Sequence, residues 1–134
     1  MLKPTKILVP TDFSEYSDRA LRQAFDIAKE YQAKIFVVHV MIDFREEFDH
    51  IFRREAEEML QKQIGKYPQA KEVEMVAGIR KGIVYEEILK EAKEKGIDLI
   101  VIASLGRSGI AKYLMGSVAR NVLKGSKCPV LLIK

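Results

Sequence analysis

Apolar residues fall along this chain in short dense runs, separated by longer stretches where they recur every three or four positions. Thr5-Lys-Ile-Leu-Val-Pro10 reads as a short buried strand ended by proline, and Lys34-Ile-Phe-Val-Val-His-Val40 as a second, nearly all apolar. Glu72-Val-Glu-Met-Val-Ala77 alternates, as a strand nearer a sheet edge does. Leu99-Ile-Val-Ile102 and Pro129-Val-Leu-Leu-Ile133 complete a set of five.

Between them the period is helical. Ala20, Leu21, Ala24, Phe25, Ile27, Ala28 and Tyr31 make one stripe, with Arg19, Arg22, Asp26 and Lys29 outward and Ser14 or Ser17 as the cap. Residues 43–65 carry Phe44, Phe48, Ile51, Phe52, Met59, Leu60 and Ile64 at helical spacing, ended by Gly65 and Pro68. Val84, Ile88 and Ala92 form the stripe of a third helix between Gly82 and Gly96, and Val118-Ala-Arg-Asn-Val-Leu123 opens a fourth.

Strand and helix thus alternate from end to end. Continuous apolarity in the strands means cover on both faces, so the pattern predicts an α/β fold: one domain over residues 1–134, a five-stranded parallel open sheet with helices on both faces, Rossmann-like. In such sheets ligands bind beyond the carboxyl ends of the strands, where strand order reverses. The loops after the first and fourth strands lie at those ends.

Composition narrows the class. At 134 residues, 48% hydrophobic and 31% charged, the chain is globular and long enough for one core. No apolar run approaches the roughly 18 residues of a membrane span, and Met1-Leu-Lys-Pro-Thr-Lys is no signal peptide, so neither membrane nor export is expected. The single cysteine, Cys128, excludes an internal disulfide and fits a cytoplasmic location. The net charge of +4 comes from bases interleaved with acids, the pattern of solvated helix faces, and nucleic acid is not expected as a partner. Only after Asp98 do bases meet no acid: Arg107, Lys112, Arg120, Lys124, Lys127 and Lys134. That local excess suits a polyphosphate ligand or a scattered basic surface alike.

The stretch that could carry chemistry is Ala103-Ser-Leu-Gly106-Arg-Ser-Gly109-Ile-Ala-Lys-Tyr-Leu-Met-Gly116-Ser117. A strand, a small-residue loop and a helix start can hold phosphate through free N–H groups and the helix dipole. The glycines alone would equally serve a plain turn. Asp12, just after the first strand, either satisfies loop amides or accepts hydrogen bonds from a ribose or base. One carboxylate falls short of a magnesium-binding response-regulator site. No serine–histidine–acid set or P-loop lysine is present, and neither His39 nor His50 has a partner at metal spacing, so no catalytic or metal site is expected.

Taken together, Ile7-Leu-Val-Pro-Thr-Asp-Phe-Ser14, His39-Val40, Gly82-Ile-Val-Tyr-Glu-Glu-Ile88, Asp98-Leu-Ile-Val-Ile102, Gly116-Ser-Val-Ala-Arg-Asn-Val-Leu123 and the closing Cys128-Pro-Val-Leu-Leu-Ile-Lys134 resemble the universal stress protein family over the whole chain. The resemblance implies the adenine-nucleotide alpha-hydrolase-like variety of the fold. It also implies a stress-response regulator. Family members that bind ATP carry Gly-x2-Gly-x9-Gly-Ser/Thr. Gly106, Gly116 and Ser117 fit the last three terms, but Ala103 stands where the family has glycine.

By that resemblance Asp12 would contact the ribose or adenine, the Val40 backbone the adenine, and Gly106, Gly116, Ser117 and Val118 the phosphates. Pro10 and Thr11 would shape the adenine side, and Arg107 and Lys112 would reach the outer phosphates. Ser117 is expected to cap the last helix as well. Ala103 is expected to weaken ATP binding without abolishing it, because a methyl group is the smallest obstruction.

The related adenine-nucleotide hydrolases carry Ser-Gly-Gly-x-Asp-Ser after the first strand. This chain has Pro10-Thr-Asp-Phe-Ser14, so at most slow ATP hydrolysis is expected, with Mg²⁺ held mainly by the phosphates. The family dimerises through its last strand, and an apolar edge at Pro129-Val-Leu-Leu-Ile133 agrees with a homodimer. Two other readings stay open: a nucleotide-free module of the same fold that binds an unknown protein partner, and a slow ATPase.

Overall fold

The structure is a computed structural model, described for residues 3–42, 45–106 and 115–134. Five strands and four α-helices alternate: β1 (Lys6–Pro10), α1 (Glu15–Tyr31), β2 (Lys34–Met41), α2 (Asp49–Gly65), β3 (Met75–Lys81), α3 (Val84–Lys95), β4 (Leu99–Ala103), α4 (Ser117–Gly125) and β5 (Val130–Ile133). The strands form one sheet in the order β3-β2-β1-β4-β5, every pair parallel. The predicted architecture is therefore the observed one.

Side chains alternate across the pleat, and both faces are covered. Ile7, Val9, Ile35, Val37, Leu99 and Val101 pack with Leu21, Phe25 and Leu60, from α1 and α2. Leu8, Phe36, Val38, Ile100 and Ile102 pack on the other face with Ile88, Ala119 and Val122, from α3 and α4. This two-sided burial is why the three central strands read as unbroken apolar runs.

Differences from the sequence reading are local. The third strand starts at Met75, not Glu72, because residues 68–72 form a 3₁₀ turn and the register is set by Ile35 opposite Met75. The second helix begins at Asp49 after a 3₁₀ turn at Glu46–Phe48. Of its predicted apolar set only Leu60 and Ile64 are buried; Phe48, Ile51 and Met59 are exposed, while Ala56 and Gln63 are buried instead. Phe44 lies outside the described residues. In α1 the stripe is as predicted except Tyr31, which is exposed, and Ser14 supplies the cap, accepting from the Ser17 N–H.

A charge cluster that hydropathy did not show joins β3 to α3. Arg80 donates to Glu87 at 3.0 Å, Glu91 at 2.8 Å and Glu94 at 2.7 Å. Glu91 is buried. The pairing, with the Glu94 bond foremost, holds the Arg80 guanidinium still more firmly charged than usual.

At the amino ends of the strands Asp98 ties β1 to the turn before β4. Its carboxylate accepts from the Thr5 N–H, the Lys6 N–H and the Thr5 hydroxyl. Burial alone would raise its pKa; the Thr5 hydroxyl and these amides outweigh it, so the group titrates below the ordinary carboxylate value. Gly96 sits at φ 64° just upstream and closes α3 in the left-handed region.

Candidate functional site

Strand order reverses between β1 and β4. α1 leaves β1 toward one face and α4 leaves β4 toward the other, so a cleft opens at the carboxyl ends of these two strands. It has a volume of about 530 Å³. Pro10, Thr11, Asp12, Val40, Ala103, Gly106, Gly116, Ser117 and Val118 all line it. Of the predicted site residues, Arg107 lies outside the described residues, as does Lys112.

One wall is the β1–α1 loop. The Thr11 N–H bonds to the Val38 carbonyl at 2.8 Å, carrying the ladder one residue past Pro10. Asp12 then turns the chain: its Oδ1 accepts from the Ser14 N–H at 3.0 Å and from the Ser14 hydroxyl. Loop support is thus one settled role of Asp12. Phe13 follows at φ 69°, a left-handed conformation costly for a bulky residue. Its ring stacks on His39 with centroids 4.2 Å apart, and His39 Nδ1 lies 2.8 Å from the Thr11 carbonyl. A carbonyl only accepts, so Nδ1 carries the proton there. His39 is a loop support in this arrangement.

β2 supplies the back of the cleft. Residues of a parallel strand point their N–H and C=O to alternate sides. Val38 faces β1, as its bond to Thr11 shows, and Met41 faces β3, where its carbonyl accepts from Gly82. Val40 therefore turns its backbone toward β1 at a level where β1 has ended.

The other wall is the β4–α4 connection. Ala103 pairs with Ile133, and the Ser104 N–H reaches the Ile133 carbonyl at 2.8 Å. The residues at positive φ outside glycine are Phe13 and Gln32 among those described. Ala103 thus keeps an ordinary strand conformation, and its methyl group meets no backbone penalty. Gly106 lies against Asp12: a Cβ added there would sit 3.0 Å from Oδ2. At Gly116 a Cβ would come 3.2 Å from the Ser104 carbonyl, which the Gly116 N–H itself contacts at 2.7 Å. Both glycines answer to space rather than to φ.

The last helix starts one residue earlier than predicted. Gly116 is its N-cap, at φ −61° and ψ 155°, with no side-chain cap, and Ser117 is the first helical residue. The expected capping role of Ser117 is thereby corrected, since its side chain sits one position too late. Arg120 is the first residue whose N–H reaches back into the helix, to the Gly116 carbonyl. The N–H groups of Ser117, Val118 and Ala119 thus have no acceptor within the helix, and all three residues line the cleft.

Much of the remaining lining is apolar. Phe52, Ala56 and Met59 of α2 close one side, a contribution the sequence reading did not assign to the site although their spacing puts them on one helix face. Asp12 and Glu55 are the carboxylates of the described lining, and no described Lys or Arg joins them. Among the described residues no three metal-ligating side chains cluster.

A search among protein families matches this chain over residues 4–134 to the model described as the universal stress protein family. The chain belongs to the universal stress protein family. A curated relative, universal stress protein MJ0531 of Methanocaldococcus jannaschii, is 33% identical over 96% of this chain and 81% of its own length. Among solved structures, that of MJ0577, also from M. jannaschii, superposes with a TM-score of 0.89 at 30% identity, covering 99% of this chain and 97% of that one. A universal stress protein in complex with cAMP gives 0.81 at 25% identity, covering 99% of both chains. The Archaeoglobus fulgidus universal stress protein in complex with dAMP gives 0.74 at 26%, covering 99% and 100%. This universal stress protein thus shares its fold with relatives that hold adenine mononucleotides. No described helix is long and apolar enough to cross a membrane.

Proposed function

We propose that the cleft binds an adenine nucleotide, ATP included, and that the bound nucleotide biases the conformation or assembly of a homodimer joined through β5. The observation that carries this reading is convergence. Separated stretches, residues 10–12, 40, 103–106 and 116–118, meet around one cleft at the strand-order switch. The adenine would pair edge-on with the Val40 backbone, as one more short strand would. Asp12 Oδ2, beside Gly106, would take a ribose hydroxyl. The phosphates would lie over Gly106 and Gly116 against the first-turn amides of Ser117 and Val118, where the helix dipole favours negative charge. Arg107 would complete the phosphate side. With Asp12 engaged by Ser14, Mg²⁺ would be held mainly by the phosphates.

Ala103 fits this reading. The strand conformation at that position leaves only its methyl volume as an obstacle, so the departure from the family's glycine reduces affinity modestly. What supports the dimer is β5, an edge strand with exposed Leu131 at which a second copy could extend the sheet.

The test is the thermal midpoint with and without millimolar ATP and Mg²⁺. At a concentration about 100 times Kd the ligand adds about 2.7 kcal/mol, several degrees for a chain of this size. An unchanged midpoint across ATP, ADP and AMP would overturn the nucleotide reading and leave a protein-binding module of the same fold.

A further inference from the structure

We propose that Gln63, a residue of α2 outside the cleft, positions the Thr11–Phe13 segment for nucleotide binding through a one-directional hydrogen-bond relay. The proposal rests on the nucleotide reading above. Gln63 is buried, 4% exposed, and lies between two groups of fixed polarity. Its Nε2 donates to Asp18 Oδ1 at 2.9 Å, and Asp18 also takes Lys66 Nζ on Oδ2 at 3.3 Å. A carboxylate only accepts, so the amide must turn its NH₂ toward Asp18 and its Oε1 inward.

Oε1 then receives the Thr11 hydroxyl at 2.8 Å. Thr11 has a single hydroxyl proton and two acceptors in reach, Gln63 Oε1 and, at the longer 3.0 Å, the Ser17 hydroxyl oxygen, whose own proton goes to the Ser14 carbonyl; the shorter contact is the one to Gln63. With its proton given to Gln63, Thr11 Oγ1 is left as an acceptor for the Phe13 N–H, at 3.0 Å. Every bond from Phe13 through Thr11 and Gln63 to Asp18 runs the same way.

The relay ends on the residue held at φ 69°. A backbone conformation that is unfavourable for phenylalanine persists only where its surroundings fix it. Here the fixing bond is the one to Thr11, and Thr11 is oriented from α2. Phe13 in turn packs against His39 beside Val40, and its neighbour Asp12 borders Gly106. Gln63 therefore acts as a positioning residue that never touches the ligand.

The experiment compares three chains by ATP titration at a temperature where each is fully folded, and by amide hydrogen exchange of the ligand-free protein. Gln63→Met keeps the side-chain length and removes both polar contacts. It is expected to raise Kd about tenfold and to speed exchange of the Phe13 amide by a similar factor. Gln63→Glu combined with Asp18→Asn reverses the outer bond while keeping an acceptor for Thr11, and is expected to restore both readouts to within about threefold of native. A purely structural role would lower the midpoint of Gln63→Met while leaving Kd and Phe13 exchange unchanged, and that result overturns the proposal. So does a folded double variant that stays as weak as Gln63→Met. A native chain that binds no ATP overturns instead the reading on which the proposal stands.

Discussion

The two ends of the sheet use backbone amides in opposite ways. At the amino end the Asp98 carboxylate takes the Thr5 and Lys6 amides and the Thr5 hydroxyl, and α3 is closed by Gly96. At the carboxyl end Val40 turns its backbone over a cleft where β1 has run out, and α4 begins at a glycine with no side-chain cap. One end is saturated by the chain itself, and at the other the first-turn amides of α4 have no acceptor within their helix. The difference separates stability from binding: satisfied amides hold strands together, whereas open ones mark where something else is to be held.

Substitutions at the two ends should therefore move different observables. The largest effect is expected for Gly116→Val, whose branched side chain would be driven into the Ser104 carbonyl. ATP affinity should fall about 100-fold or more, while unfolding free energy drops only about 1 kcal/mol for a poor N-cap. Calorimetric titration and urea unfolding read the two separately. Equal losses in both would erase the contrast.

Asp98→Asn should do the reverse, costing about 1.5 kcal/mol of stability with ATP affinity unchanged. Its pH dependence carries a sign. The folded pKa of Asp98 lies below the unfolded value, so its contribution is present above about pH 4 and is lost as pH falls through the folded value. Native and Asp98→Asn unfolding free energies should converge in that acid window. Gly96→Ala should cost about 1 kcal/mol by forcing a Cβ into φ 64°, again without touching binding. Smallest of all, Ala103→Gly should tighten ATP by no more than about threefold, because the strand conformation asks nothing of glycine there. A tenfold gain would mean that the methyl group blocks a phosphate directly.

Much of this was legible in the sequence. Ile7, Ile35 and Leu99 with their neighbours are apolar on both sides of the pleat, so their strands announced a buried parallel sheet. The cleft was legible because its residues sit at strand ends, where topology alone brings them together. Less visible were features that depend on a distant partner. Glu87, Glu91 and Glu94 share a helix face, but nothing local says that Arg80 of β3 lies opposite. Gln63 sits among polar neighbours and reads as solvated until Thr11 is placed beside it. Phe52 and Met59 looked like core and instead wall the cleft, since helical period gives the face but not what it faces. Ser117 was one residue out of place as a cap, the margin within which helix starts are ordinarily uncertain from sequence.

The Arg80 cluster also sets how the outer edge of the sheet responds to heat. Stripping water from charged groups is costly near 25 °C, but their hydration weakens as temperature rises, so the penalty for burying Arg80 against Glu91 shrinks on warming. Replacing both residues by methionine should be close to neutral in the cold and increasingly damaging toward the midpoint. β3 is then an edge whose fastening tightens, relative to an apolar substitute, as the rest of the protein loosens.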